Sequence, residues 1–216
     1  MTSLFAITNA QILGGGTSLL IEGDRISGVD LLVPDGTRTL DAKGAIVAPG
    51  IVDLGVFSVD KRACIAGGIT RIALMPDQSP VLDEPGIVQR AALAAKPDLW
   101  VHPLAAATKA LDGRELGEFA MMRKTGARAV ATGRQWIADS GVMMKVMAYA
   151  ASLQMTLISH AEDGGLTGQA VATSGEIASR LGLSSAPAQA EAMAIARDLM
   201  LAELTGVRLH FRNVTT

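Results

Sequence analysis

Two rhythms of apolar and polar positions divide the chain. Over the first fifty residues, LFAITNAQIL, SLLIEGDRISGVD and TRTLDAKGAIVAPG are short β-rich segments broken at Gly14-Gly15-Gly16, Gly23-Asp24 and Pro34-Asp35-Gly36. Such turn chemistry predicts a small antiparallel β module over residues 1–49. From Ile46 onward, continuous apolar stretches alternate with helical ones. Strands are predicted at IVAPGIVDLGVF, ITRIALMP, LWVHPLAA, ARAVAT, MTLISH and VRLHFRNV, and helices at Gly86–Ala95, Arg114–Thr125, Ser140–Leu153 and Pro187–Leu204. Apolar strands joined by helices imply parallel pairing with both sheet faces covered.

The fold class that follows is α/β, a (β/α)8 TIM-type barrel of which about six βα units are visible. A complete barrel needs eight strands in about 250 residues, so residues 50–216 read as an incomplete barrel and the chain as part of a longer protein. The final helix carries the clearest boundaries: Ser184 or Ser185 as its cap, Pro187 in its first turn and Gly206 after its end. Ala190, Met193, Ala194, Arg197 and Leu201 share a helical spacing whose apolar members suit the barrel side. The triple glycine is a hairpin, not a dinucleotide-binding loop, because Leu19 stands where the last glycine of Gly-x-Gly-x-x-Gly belongs.

Composition narrows the function classes. The chain has 216 residues, 49% of them hydrophobic, with a formal charge of −2 and a mean hydropathy of +0.33, values that suit a globular protein with a sizeable core. Cationic residues are scattered along the sequence, so no basic stripe points to nucleic acid. No stretch approaches the roughly 20 apolar residues of a membrane span, and the first ten lack a signal peptide's design. The expected location is cytoplasmic, and the single Cys64 in ACIAGG reads as buried packing.

The blocks DAKGAIVAPGIVDLGV, GGITRIALMPDQSP, ISHAEDGGL and AEAMAIARDLMLAELTGVRLHFRNVTT, in that order, resemble those of dihydroorotase in the amidohydrolase superfamily. The resemblance implies a barrel with a small β-sandwich to which the first 49 residues contribute. It also implies zinc and the reversible cyclisation of N-carbamoyl-aspartate in pyrimidine biosynthesis. A cyclic amide opens at neutral pH when divalent metals supply a hydroxide and polarise the carbonyl, which needs several imidazoles and a carboxylate.

Carried over by position, most of that ligand set is missing. The family's His-x-His after the first strand falls on Gly55 and Phe57. Thr132, beside Gly133, stands near the fourth-strand ligand, and Asn213 takes the histidine place of the sixth. His160 is the one retained metal position. The family's substrate-binding asparagine is Asp77, whose carboxylate would face an anionic substrate, and the carboxylate-clamping arginine has no counterpart unless Lys61 or Arg62 replaces its charge.

Each of these residues also has a plainer account. His160 alone reads as a hydrogen-bonded structural histidine, with Glu162 and Asp163 fixing its loop. His102 reads as packing ahead of Pro103, and His210 shares a polar face with Arg208 and Arg212. The methionines of GVMMKVMAYAASLQM read as core or as an adaptable contact surface. The resulting expectation is a noncatalytic dihydroorotase-like protein with no cofactor, a homo-oligomer that supports assembly of aspartate transcarbamoylase. The alternative is an active amidohydrolase whose zinc is held by His160, His102 and groups beyond Thr216.

Overall fold

The computed structural model describes residues 3–216, and their contacts divide into two units, Met1–Gly50 and Ile51–Thr216. In the first unit β1 (Leu4–Thr8) is followed by β2 (Gln11–Ile12), β3 (Leu19–Glu22), β4 (Arg25–Val29), β5 (Arg38–Asp41) and β6 (Ile46–Val47). Four strands form a sheet in the order β4-β3-β1-β5, while β2 and β6 form a separate parallel pair. The sheet is mixed, which corrects the antiparallel expectation: β1 pairs antiparallel with β3 but parallel with β5. The long stretch between Val29 and Arg38 lets β5 return in the same sense, where a tight turn would have forced reversal.

The glycine run does reverse the chain. Gly14, Gly15 and Gly16 all have positive φ, and Ile12 N–H donates to Gly16 O at 3.1 Å. Asp30 then ties the start of β3, accepting from the N–H groups of Thr17 and Ser18 at 2.8 and 2.9 Å. Those bonds, led by the Thr17 backbone, hold its carboxyl below the usual range.

The second unit runs β7 (Ile51–Val56), α1 (Lys61–Ala66), β8 (Ile69–Leu74), α2 (Pro85–Leu93), β9 (Trp100–Ala106), α3 (Phe119–Lys124), β10 (Ala129–Ala131), α4 (Ser140–Ser152) and β11 (Leu157–Ser159). It continues with α5 (Gly164–Thr167), β12 (Ala172–Thr173), α6 (Glu176–Arg180), β13 (Ser185–Ala186), α7 (Gln189–Thr205) and β14 (Leu209–Phe211). Six strands make one parallel sheet in the order β14-β11-β10-β9-β8-β7. This is part of a (β/α)8 barrel, its strand order following the chain as successive βα units require.

Alternation along the strands separates two apolar layers. Ile72, Leu74, Val101, Val130 and Leu157 pack with Val88 of α2, Met122 of α3 and Met143, Val146 and Met147 of α4. The opposite face gathers Ala73, Met75, Leu104, Ala129 and Ala131, with Phe57 and Ile158 packed against them. Each large side chain in the first layer contributes about 1.5–3 kcal/mol by leaving water. Three alanines make the second layer shallow, and the Phe57 ring covers it. On α4, Asp139 caps the helix by accepting from Val142 N–H, so the methionine spacing places Met143 and Met147 in the core while Met144 stays exposed.

Two helices differ from expectation. The stretch expected from Arg114 becomes helical only at Phe119, because a 3-10 turn over Lys109–Leu111 and an isolated bridge from Thr108 to Leu116 occupy the preceding residues. Helix α7 begins at Gln189 with no side-chain cap, since Ser185 is paired in β13 with Ala172. Ala190 and Ala194 are buried as expected, whereas Met193 is 59% exposed. Gly206 closes the helix in the left-handed conformation.

Candidate functional site

At the carboxyl ends of the barrel strands, Phe57, Arg134, His160, Arg212 and Asn213 line a cavity of about 230 Å³. Phe57 follows β7, His160 follows β11, and Arg212 and Asn213 follow β14. Two cations share the aromatic ring: the guanidinium carbon of Arg134 lies 4.1 Å from its centroid and that of Arg212 4.7 Å. Arg212 is fixed by its own N–H, which donates to Ser159 O at 3.1 Å. Burial pulls the Arg212 guanidinium below its ordinary value, with Asp77 opposing the shift and Arg134 adding to it.

His160 is held from two sides. Its backbone N–H donates to the hydroxyl of buried Thr132 at 3.1 Å, and its Nε2 lies 3.1 Å from the Glu162 carboxylate. Its Nε2 is thereby engaged with the Glu162 carboxylate. Asp163 caps α5 by accepting from Gly165 N–H at 2.8 Å. Both acids therefore fix the loop.

Beneath His160 lies a polar cluster that the sequence reading did not single out as part of the site. The fully buried Asp198 of α7 accepts from the Ser159 hydroxyl at 3.0 Å and from Arg197 Nε and Nη2 at 2.9 and 2.6 Å. Burial lifts its carboxyl above the usual carboxylate range, against the pull of Arg197. The Arg197 guanidinium also stacks 3.8 Å from the Trp136 ring centroid and reaches Ala138 O at 3.0 Å. The Arg197–Asp198 pair thus ties the end of β11 and the stretch after β10 to the middle of α7. Arg197 falls on the barrel-side spacing of α7, but Asp198 next to it carries no local signal.

The implied metal does not fit these residues. Gly55 and Phe57 offer no donor atom, although a side chain at Gly55 would meet only open space. Thr132 is occupied with His160, and two guanidinium groups sit against Phe57. Among the described residues, no group of three His, Cys, Asp or Glu side chains converges. A divalent ion here would meet two like charges and no converging set of imidazoles and carboxylates to hold it.

Other expected site residues turn elsewhere. Asp77 Oδ1 accepts from Arg134 N–H at 2.9 Å, so this carboxylate anchors the loop after β10 instead of standing free to confront a substrate. Its Oδ2 is buried without a partner. Lys61 pairs with Asp98 and does not replace the clamp. His102, the third residue of β9, lies 3.4 Å from Arg71 and lines a different cavity between α2 and α3. It shares no cavity with His160, which removes the His102–His160 metal pair. His210 of β14 is exposed and keeps to the polar side with Arg208.

The dihydro-orotase-like family model matches residues 44–216. A dihydroorotase-like protein of Pseudomonas putida is 36% identical over 219 residues, covering 93% of this chain and 51% of that protein. A dihydroorotase of Syntrophotalea carbinolica is 36% identical over 234 residues, covering 97% of this chain and 54% of that one. The chain therefore spans about half the length of the curated relatives it matches. Among solved structures, L-hydantoinase from Arthrobacter aurescens superposes with a TM-score of 0.76 at 20% identity, over 98% of this chain and 52% of that chain. A dihydroorotase crystal structure gives 0.55 at 13% identity, over 97% and 65%. With a family match across the barrel strands and relatives above one-third identity over nearly all its length, this chain belongs to the dihydroorotase-like family of the amidohydrolase superfamily.

Proposed function

We propose that the protein is a noncatalytic dihydroorotase-like subunit of pyrimidine biosynthesis, cytoplasmic and oligomeric, that supports assembly of aspartate transcarbamoylase. The observation that carries this reading is the Phe57 ring beneath the guanidinium groups of Arg134 and Arg212, where the family's paired histidines would begin a metal site. Gly55, Phe57, Thr132 and Asn213 stand in lost ligand positions, and His160 is the remaining one. A fold kept intact around such a site is explained by its surfaces, since function resides in sites and contacts and not in the barrel itself. The first unit serves as the N-terminal part of a composite β-sandwich. Consistent with a protein outside the bilayer, none of the helices in the described residues is long and apolar enough to cross a membrane.

The test uses the full-length protein. Elemental analysis after dialysis should find zinc well below one ion per chain, dihydroorotate turnover should equal background, and aspartate transcarbamoylase should copurify from the native cell. A second reading rests on the likeness to dihydroorotases, one at 36% identity: an active amidohydrolase whose ligands come from the half of the family's length not spanned here. Stoichiometric zinc together with real turnover would establish that reading and overturn the first.

A further inference from the structure

Cations that are scattered along the sequence converge in space away from the barrel mouth. Lys96, Lys124 and Arg128 line a cavity of about 260 Å³ together with Gln89, Trp100 and His102. Arg71 stands at its wall, 3.4 Å from His102 and with its guanidinium carbon 5.4 Å from the Trp100 ring centroid. Lys96 takes the same ring, its Nζ 4.7 Å from the centroid. No acidic residue lines the cavity, and neither Arg71, Lys96, Lys124 nor Arg128 makes an ion pair among the described residues. The acid nearest in sequence, Asp98, is committed to Lys61.

The lining comes from α2, the turn after it, β9, the end of α3 and the turn into β10, all consecutive in this chain, with Arg71 of β8 alongside. His102 reports the field. Burial first, then Arg128, Arg71 and Lys96, pull its imidazole below the ordinary value of 6.5. An uncompensated cluster of four cations repels itself, and a concave setting focuses that potential on small anions. Guanidinium and ammonium groups bond oxyanions through charge-assisted hydrogen bonds, and a cavity of about 260 Å³ is of a size that suits a phosphate or a small phosphate ester.

We propose that this pocket binds a small multivalent oxyanion, a phosphate or the phosphate group of a small ester, through Arg71, Lys96, Lys124 and Arg128. The Trp100 ring keeps two of the cations in place. Because the pocket shares no residue with the barrel mouth, the proposal stands or falls independently of the lost ligands.

Titration of the full-length protein with inorganic phosphate and with pyrophosphate, by calorimetry in low-salt buffer, tests it. The expected result is saturable binding with a Kd below about 1 mM, tighter for pyrophosphate and weakened by added salt. Arg128→Gln and Lys96→Gln, both at exposed positions, should each weaken binding about 10-fold, the scale of one lost charge-assisted bond. In parallel, the His102 imidazole resonance should titrate higher in bound than in free protein, because an anion offsets the surrounding cations. Absence of saturable binding, unchanged affinity in both variants, or an unmoved His102 titration would each overturn the site. Binding of a long polyanion without any binding of phosphate or pyrophosphate would also overturn it.

Discussion

Ser159 and Asp198, 39 residues apart, meet at 3.0 Å as hydroxyl donor and buried carboxylate acceptor. The bond joins the last residue of β11 to the middle of α7, one residue before His160. With Arg197 it makes an ion pair that no water reaches on the Asp198 side. Removing one member of such a pair leaves a buried charge uncompensated.

Asp198→Ala is therefore expected to destabilise the protein by about 3–5 kcal/mol, and Ser159→Ala by about 1 kcal/mol. Urea denaturation followed by circular dichroism measures both. A loss of similar size for the two variants would mean that the Arg197 contact adds nothing.

The loop after β10 depends on a close approach. Gly133 has φ +75°, and a Cβ there would lie 2.8 Å from Asp77 Oδ1 and 3.0 Å from a Leu111 methyl carbon. Gly133→Ala should cost about 1–3 kcal/mol from backbone strain and should release Arg134 from its N–H bond to Asp77. Thermal unfolding gives the first effect, and a crystal structure of the variant gives the second.

His102 predicts a pH dependence. Its folded imidazole is held below 6.5, so as pH falls the unfolded chain takes the proton first. Stability contributed by neutral His102 is fully present above 6.5 and is lost as pH drops through the lower folded value. His102→Gln should flatten this part of the profile when unfolding is measured in phosphate-free buffer between neutral and mildly acidic pH. An unchanged slope would assign the acid sensitivity to other groups.

Rebuilding the metal site tests the proposed history directly. Gly55→His, Phe57→His and Asn213→His together should raise zinc uptake above that of the unmodified full-length protein. Adding Arg134→Ser and Arg212→Ser should raise it further by removing two like charges. Dihydroorotate turnover should stay near background throughout, and elemental analysis beside the assay separates the two outcomes.

The parallel strands were legible because each is a nearly unbroken apolar run, and the strand order followed from chain order. Less legible was the segment from Gly164 to Ala186, where α5, β12, α6 and β13 are too short for periodicity to register. The start of α7 was misplaced because Ser185 has a strand partner, which outweighs its capping tendency. At the site, Phe57 and His160 could be placed from strand ends alone. Arg134 could not be paired with Phe57, since the two are far apart in sequence and only the curl of the sheet brings them together; its one local signal is a cation directly after Gly133 at a strand end.

Phe57 has a consequence for the direction in which this lineage can change. Its ring covers an interior face made shallow by Ala73, Ala129 and Ala131, and it is the shared partner of Arg134 and Arg212. A single step to histidine at 57 would uncover that face and loosen both arginines while still leaving too few donors to hold an ion. A step at Asn213 alone would face the same two cations across the cavity. Any one of these changes alone would add a single donor beside His160, so under the proposed reading the packing around Phe57 keeps the barrel mouth closed to an ion until several positions change together.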